Sequence, residues 1–222
     1  MQITIPYAPR ELQREIHDQL SKHRWAVLSL HRRAGKSVMC INELIKRALT
    51  NKMWNPRYAY IGPTYKQTKS IIFDYLKHYA GVIPGVKFNE QELSCTFPNG
   101  AKISLLGSEN PDSLRGNYFD GIIADEYAQI NPRLFPEIIR PALSDRKGFC
   151  YMVGTPQGMS NDFYAKYQHA LQDDDWYTKI AKASETNIID QEELDAAKSV
   201  MGDKKYRHCL LYTSPSPRDG LL

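Results

Sequence analysis

The sequence predicts an α/β fold in which a mostly parallel β-sheet is covered by helices on both faces. Short apolar runs such as Trp25–Leu30 and Gly121–Ala124 have the length and composition of buried strands. Segments in which apolar residues recur at helical spacing, as Leu12, Ile16 and Leu20 do, separate these runs and predict amphipathic helices. Strands that alternate with helices are typical of a parallel sheet, since each crossover connection places a helix against one face.

Helices and strands can be assigned along most of the chain. Helical periodicity predicts helices at Arg10–Lys22, Lys36–Leu49, Thr64–Tyr79, Pro132–Leu143, Asp162–Leu171 and Gln191–Met201. Apolar runs predict strands at Trp25–Leu30, Tyr58–Ile61, Val86–Asn89, Leu93–Phe97, Lys102–Leu106, Gly121–Ala124, Phe149–Val153 and Trp176–Ala181. Pro98-Asn99-Gly100 joins the fourth and fifth of these strands. Because Asn-Gly is the strongest short-range hairpin signal, we expect an inserted β-hairpin there.

Composition excludes several classes of protein. The 222 residues, of which 42% are hydrophobic, suit one sizeable core. The 29 Lys and Arg against 25 Asp and Glu permit a nucleic-acid partner without requiring one. The four cysteines form no Cys-x-x-Cys pair, so neither a zinc ribbon nor a disulfide framework is indicated. No apolar run approaches the roughly 20 residues of a membrane span and no secretion signal follows Met1, so we expect a cytoplasmic protein with reduced thiols.

The segment His31–Ser37 (HRRAGKS) has the context of a phosphate-binding loop, because it lies between a predicted strand and a predicted helix. Backbone N–H groups of such a loop point at phosphate groups, Lys36 adds a positive charge, and the Ser37 hydroxyl binds Mg²⁺. Leu30 stands where the full motif has its first glycine, and a basic surface loop is the alternative. The residues expected to contact the nucleotide here are Arg32, Arg33, Ala34, Gly35, Lys36 and Ser37.

The predicted strand Gly121–Ala124 ends in two adjacent carboxylates, Asp125 and Glu126. Asp125 is expected to hold Mg²⁺, and Glu126 to orient or deprotonate an attacking water. The alternative is a strand that gives way to a polar loop. Asp125 follows Lys36 by 89 residues (125 − 36), which leaves room for two intervening strand units, as in RecA-like (ASCE) P-loop NTPases.

Five segments together resemble one family, the large terminase subunits that pump DNA into tailed-phage capsids. They are Arg32–Ser37, Tyr7–Gln13, Gly62–Gln67, Gly107–Gly116 and Gly154-Thr155-Pro156. The first looks like the family's variant phosphate loop, the second like its adenine-recognition motif, and the last like its coupling motif. The resemblance covers about residues 7–183.

This resemblance implies roles that the residues alone do not establish. Gln13 would recognise adenine, with a solvent-facing helix residue as the alternative. Arg32 would sense the γ-phosphate, and Thr155 would link hydrolysis to domain movement. Arg115 would act as a finger in a neighbouring subunit's site, with a salt bridge in a turn as the alternative.

The resemblance also implies ligands and partners. The ligands are ATP and Mg²⁺. The partners are double-stranded DNA, a portal protein, a small terminase subunit and further copies of the chain in a ring, docked on a procapsid in the bacterial cytoplasm. Lys66, Lys69, Lys77 and Lys87 either contact DNA phosphates or form a solvated face. Two other functions stay open: another RecA-like translocase or helicase, and an adaptor that binds DNA or portal without hydrolysis.

The expected domain organisation has three parts. Residues 1–183 form the ATPase domain, 184–208 begin a linker or helical subdomain, and 209–222 are not native. The segment Cys209–Asp219 (CLLYTSPSPRD) resembles the translation of a sequencing-library adaptor, so we expect the natural protein to be longer. The family carries a nuclease domain of RNase H type after the ATPase. Its carboxylate cluster is not expected here, since the acidic run Asp173–Asp175 is typical of a solvated loop.

Overall fold

The computed structural model describes residues 4–155 and 160–186, with the isolated positions 188, 190, 192, 196 and 199. Pro156, most of the predicted helix Gln191–Met201 and all of 209–222 lie outside the described residues. Within the described part, no helix combines the length and the apolarity that crossing a bilayer requires.

The described residues form an eight-stranded sheet in the order β3-β4-β5-β2-β6-β7-β1-β8. The strands are β1 Trp25–Leu30, β2 Arg57–Gly62, β3 Lys87–Asn89, β4 Ser94–Thr96, β5 Lys102–Gly107, β6 Gly121–Ala124, β7 Phe149–Gly154 and β8 Trp176–Ala181. All pairings from β5 to β8 are parallel, whereas β3–β4 and β4–β5 are antiparallel. The mostly parallel sheet expected from the sequence is therefore confirmed.

Helices cover both faces of this sheet. They are α1 Glu11–Leu20, α2 Lys36–Thr50, α3 Tyr65–Ala80, α4 Arg140–Ala142, α5 Asp162–Ala170 and α6 Ala183–Thr186, with 3₁₀ turns at Pro111–Leu114 and Tyr127–Gln129. The side chains of β1 divide between two cores: Leu28 and Leu30 pack towards α1, α2 and α3, whereas Trp25 and Val27 face α5. A strand buried on both faces is the physical reason for the nearly continuous apolar run of β1, which Ser29 interrupts.

The hairpin predicted at Pro98-Asn99-Gly100 is confirmed. Cys95 pairs with Ile103 across β4 and β5, and the Phe97 N–H donates to the Ala101 carbonyl at 2.8 Å. Gly100 has φ +83°, a conformation that glycine adopts without a steric penalty. The turn chemistry alone was sufficient to predict this element.

The regular helix predicted at Pro132–Leu143 is wrong in form. The structure has a π-helical segment at Phe135–Ile139, which runs into the single turn of α4. The Arg140 N–H donates to the Phe135 carbonyl, five residues back. Pro141 has no N–H and cannot continue a regular ladder of i to i−4 hydrogen bonds, which accounts for the irregularity.

The strand order places the sequence motifs at one edge of the sheet. The carboxyl ends of β1, β7 and β6 are neighbours, because β7 pairs with β1 on one side and with β6 on the other. The phosphate loop after β1 and the carboxylates after β6 therefore flank the end of β7, where Gly154 and Thr155 lie. Open α/β sheets bind their ligands at this edge.

Candidate active site

The loop between β1 and α2 has a backbone suited to binding an anion. Arg33 and Gly35 both have positive φ, at 67° and 78°. Gly35 is the N-cap of α2 and no side chain caps that helix end, so its first N–H groups remain available to a ligand. The positive φ of Gly35 favours glycine, and a Cβ there would lie 2.7 Å from Gln13 Nε2 and would displace the end of that side chain. The side chains of Arg32 and Arg33 are exposed, whereas Ala34 is buried.

Lys36 is buried and folds back over the loop. Its Nζ donates to the carbonyls of Leu30 and His31 at 3.4 and 3.3 Å and to Thr155 Oγ1 at 3.2 Å. Among the described residues it has no carboxylate within ion-pair distance, so neutral oxygens alone solvate the ammonium group. A buried cation held in this way favours an anionic ligand, because no described carboxylate forms a direct ion pair with it.

The side chain of Asp125 meets the phosphate loop at the start of α2. Ser37 Oγ lies 3.3 Å from Asp125 Oδ2, and the Glu126 N–H donates to Asp125 Oδ1 at 2.9 Å. The Asp125 N–H donates to the Ile61 carbonyl at 2.8 Å, so β2 holds its backbone. Tyr60, also on β2, donates its hydroxyl hydrogen to Asp125 Oδ2.

This donor set fits magnesium. The Ser37 hydroxyl and the Asp125 carboxylate are the hard oxygen ligands that Mg²⁺ takes, with phosphates and water completing its shell. The described residues hold no cluster of three or more His, Cys, Asp or Glu side chains, so they form no all-protein metal cage. Two protein oxygens would leave most of the octahedral shell of Mg²⁺ to other oxygen ligands.

Glu126 is held in an unusual conformation next to Asp125. Its φ is 49°, in the left-handed region that non-glycine residues seldom adopt. Burial and then the Asp125 charge raise the pKa of Glu126, while the Lys36 and Arg32 charges and a hydrogen bond from the Thr155 N–H oppose this shift. A carboxylate with a raised pKa is a stronger base than an ordinary one, which suits proton abstraction from water.

Thr155, which follows β7, links the phosphate loop to the carboxylates that follow β6. Its hydroxyl contacts Lys36 Nζ and donates to the Leu30 carbonyl at 3.4 Å, and its N–H bonds the Glu126 carboxylate. A Cβ at Gly154 would lie 3.2 Å from the Tyr127 N, so the two strand ends approach closely. The structure thus brings Gly154 and Thr155 together with both motifs, whereas Pro156 lies outside the described residues.

Gln13 is buried against the phosphate loop and is not a solvent-facing residue, since 5% of it is exposed. Its Nε2 donates to the Gly35 carbonyl at 3.2 Å, and its Oε1 accepts from the Arg10 N–H at 3.0 Å. The first bond joins α1 to the loop, and the second caps the start of α1. Recognition of adenine by Gln13 stays a prediction.

Arg115 forms ion pairs on the surface. Its Nε lies 2.7 Å from Asp112 Oδ1, and its Nη2 lies 3.2 Å from Glu137 Oε2, which also pairs with Arg133. These contacts match the salt-bridge alternative, while more than half of the Arg115 side chain remains exposed. A role in a neighbouring subunit stays a prediction.

The sequence analysis missed Tyr60, and it placed His31 in the phosphate loop without its contact to α6. In the sequence, Tyr60 looks like an ordinary residue of an apolar strand. A buried tyrosine hydroxyl usually finds a hydrogen-bond partner, and this tendency was the signal that could have indicated its contact with Asp125. His31 joins the loop to α6, with Nε2 at 2.9 Å from Thr186 Oγ1. His31 and Thr186 are 155 positions apart in the sequence, and no local pattern predicts their contact.

The strand order and the placement of Lys36, Ser37, Asp125 and Glu126 at one sheet edge define a P-loop domain of the RecA-like (ASCE) class. The model of the family described as Terminase large subunit, T4likevirus-type, N-terminal, matches residues 27–201, and the chain belongs to this family. The resemblance seen in the sequence is confirmed, and a helicase of another family is set aside.

Relatives and solved structures agree with this assignment. The large terminase subunits of Thermus virus P23-45 and Thermus phage G20c are each 29% identical over 183 residues, covering 72% of this chain and 36% of theirs. The chain thus spans about a third of the length of these curated relatives. The Thermus phage P74-26 large terminase ATPase domain has a TM-score of 0.78 and 23% identity, covering 93% of this chain and 94% of that one. The HK97 bacteriophage large terminase has a TM-score of 0.78 and 15% identity, covering 94% and 51%.

A third structure was solved with a nucleotide analogue. It is the large terminase of another thermophilic bacteriophage in complex with ATP-gamma-S, with a TM-score of 0.75 and 14% identity, covering 90% of this chain and 51% of that one. Because these identities are low, the likeness to the three structures concerns the fold alone. The three structures confirm the RecA-like fold expected from the sequence.

Proposed function

We propose that this domain binds Mg²⁺ and ATP at the carboxyl edge of its sheet and hydrolyses the ATP to move double-stranded DNA into a procapsid. The observation that carries the proposal is the convergence of Lys36, Ser37, Asp125 and Glu126 from the ends of β1 and β6 around Thr155 of β7. Membership of the terminase family and the ATP-gamma-S complex of the third terminase support it.

Binding would begin at the phosphate loop. The uncapped N–H groups of α2 point towards the phosphates, and Lys36 exchanges its weak contacts with Leu30 and His31 for charge-assisted bonds to phosphate oxygens. Arg32, exposed on the same loop, is free to turn towards the γ-phosphate. Gln13, fixed against Gly35, would lie beside the adenine.

Chemistry would depend on the different roles of the two carboxylates. Ser37 and Asp125 would hold Mg²⁺, which neutralises phosphate charge when bound. Glu126 would accept a proton from the attacking water, a role suited to its raised pKa.

Coupling of hydrolysis to movement would use Thr155. Its hydroxyl contacts Lys36 and its N–H bonds Glu126, so a change at either residue alters the hydrogen bonds at the end of β7. The coupling segment would be Gly154-Thr155-Pro156. Through this segment the domain would act on DNA together with the portal protein, a small terminase subunit and neighbouring copies, in the cytoplasm of the bacterial host.

The test of binding compares two lysines of α2. We expect Lys36→Ala to weaken binding of ATP with Mg²⁺ by at least about tenfold, since charge-assisted hydrogen bonds contribute about 1.5–3 kcal/mol. Lys46→Ala, on the exposed side of the same helix, should bind ATP as the wild type does. Equilibrium titration with a fluorescent ATP analogue measures both variants. Equal affinity of Lys36→Ala and wild type would contradict the proposal.

A further inference from the structure

The Asp125 carboxylate is fixed at both of its oxygens. Oδ1 accepts the Glu126 N–H at 2.9 Å, and Oδ2 accepts the Tyr60 hydroxyl. Ser37 Oγ lies 3.3 Å from the same Oδ2 and is the third donor. Ser37 belongs to the phosphate loop, and its hydroxyl also lies within hydrogen-bonding reach of the Tyr60 hydroxyl.

Tyr60 reaches Asp125 from the neighbouring strand. β2 pairs in parallel with β6, with Tyr60 opposite Ile123, and the carbonyl of Ile61 accepts the Asp125 N–H at 2.8 Å. One strand therefore holds both the backbone and the carboxylate of Asp125. Tyr60 is 1% exposed and the adjoining Cys40 is equally buried, so water has no ready access to replace a lost hydroxyl on this side.

Ser37 and Tyr60 reach the same carboxylate oxygen from different parts of the fold. A hydroxyl oxygen can ligate a metal ion through a lone pair while its hydrogen still donates to a carboxylate, so Ser37 can serve both. Ser37 belongs to the phosphate loop, whereas Tyr60 donates to Oδ2 from a buried strand of the sheet. Hydrogen bonds to metal-ligating carboxylates fix their orientation, and their loss typically lowers metal affinity about 10–100-fold.

We propose that Tyr60 is a positioning residue that holds the Asp125 carboxylate in the orientation required for the Mg²⁺ of the bound nucleotide. The inference rests on the proposed function, since it assigns Asp125 to the metal. Tyr60 would act through Asp125, whose carboxylate it bonds, and not as a ligand of the metal itself.

The test compares two tyrosines of the same strand. Tyr60→Phe removes the hydroxyl on Asp125, while Tyr58→Phe removes a buried hydroxyl that bonds Asn51 and the Arg47 carbonyl at the other end of β2. The probe is ATP-gamma-S, titrated by calorimetry across a series of Mg²⁺ concentrations and in EDTA. We expect Tyr60→Phe to raise the Mg²⁺ concentration that half-maximally enhances binding about 10–100-fold. Tyr58→Phe should leave this concentration unchanged, and both variants should keep the affinity measured in EDTA.

Each outcome is decisive. A Tyr60→Phe chain with wild-type Mg²⁺ dependence overturns the inference alone, whereas a wild type that binds no ATP-gamma-S overturns the proposed function. Loss of affinity in EDTA as well would mark a general packing defect and also overturn the inference. In an Asp125→Asn background, Tyr60→Phe should cause no further change in Mg²⁺ dependence, and an undiminished effect there would show that Tyr60 acts elsewhere.

Discussion

Asp125 and Glu126 are adjacent carboxylates that the fold keeps chemically different. Asp125 accepts hydrogen bonds from Ser37, Tyr60 and the Glu126 N–H. Glu126 is partly desolvated, lies beside the Asp125 charge and has a backbone φ of 49°. Ionisation of Glu126 therefore lowers the stability of the folded state. Backbone strain such as that of Glu126 is common at catalytic sites.

This cost predicts that Glu126→Gln stabilises the domain at neutral pH without nucleotide. Because the folded-state pKa of Glu126 is raised, the folded state holds its proton more tightly than the unfolded state. The wild type therefore loses stability as the pH rises from the unfolded value through the folded pKa. The advantage of the variant should vanish as the pH falls below about 4.3. Urea unfolding of both proteins at pH 7 and at pH 4 measures this difference in the free energy of unfolding.

The control for this prediction has a pKa shift of the opposite sign. The hydrogen bond from Lys102 lowers the pKa of Glu92, so Glu92→Gln should give no stabilisation at pH 7. A Glu126→Gln domain that is no more stable than the wild type at neutral pH would contradict the account of this carboxylate.

Sequence patterns were sufficient to predict the residues of the site that lie in local motifs. Lys36 and Ser37 follow a strand directly, and Asp125 and Glu126 end another, so the parallel topology had to bring them to one edge. Tyr60 was not predictable in this way, because its role depends on the register between β2 and β6.

Among the elements, α2 is tied to its neighbours by a buried carboxylate. Glu43 accepts hydrogen bonds from His17 of α1 at 2.6 Å and from Arg47 at 2.7 Å, and Arg47 also donates to the Tyr151 hydroxyl of β7. Burial alone would raise the pKa of Glu43, but the bonds to His17 and Arg47 outweigh it and lower the pKa. This cluster connects α2, which follows the phosphate loop, with β7, the strand that Thr155 follows.

Glu43→Gln should lower the free energy of unfolding by about 2 kcal/mol, because it removes charge-assisted bonds and leaves Arg47 without its anion. Since the folded pKa of Glu43 is lowered, its contribution is present above the unfolded value of about 4.3 and is lost as the pH falls through the folded pKa. Glu15→Gln, at an exposed pair with Lys179, should change stability by less than about 1 kcal/mol. Equal effects of the two variants in urea unfolding would contradict this interpretation.

Element types were predictable, but one element form was not. The hairpin depended on local turn residues, which the sequence displays directly. The segment Phe135–Ala142 has apolar residues at helical spacing, yet its prolines remove N–H donors, and packing then selected a π-helical form. Periodicity reports which face is buried and not which hydrogen-bond ladder forms.

At the scale of the whole molecule, the role proposed for Arg115 involves neighbouring copies of the chain. The exposed Arg115 is held by Asp112 and Glu137, so its guanidinium group is oriented at the surface of the isolated chain. An arginine supplied by a neighbour stabilises transition-state charge and contributes about 10³–10⁵ in rate.

If Arg115 acts between subunits, Arg115→Ala should leave ATP affinity of the isolated chain unchanged and abolish the rate enhancement on assembly. Mixing Arg115→Ala with Glu126→Gln subunits should restore phosphate release, because some sites then combine an intact Glu126 with an intact Arg115. Arg133→Ala, which removes another partner of Glu137, serves as the control and should keep its activity. Absence of rescue at every mixing ratio would favour a structural salt bridge.

The most direct test of the central claim measures ATP binding and phosphate release by wild type and Glu126→Gln in the same buffer with Mg²⁺. Binding uses the phosphate loop and the hydrolytic step uses Glu126, so the variant should keep wild-type affinity and release phosphate about 10²–10⁴-fold more slowly. Glu92→Gln, with its exposed carboxylate, should match the wild type in both measurements. Phosphate release by Glu126→Gln at the wild-type rate, or a wild type that binds ATP and never hydrolyses it in any assembly, would contradict the account and favour a non-hydrolysing adaptor.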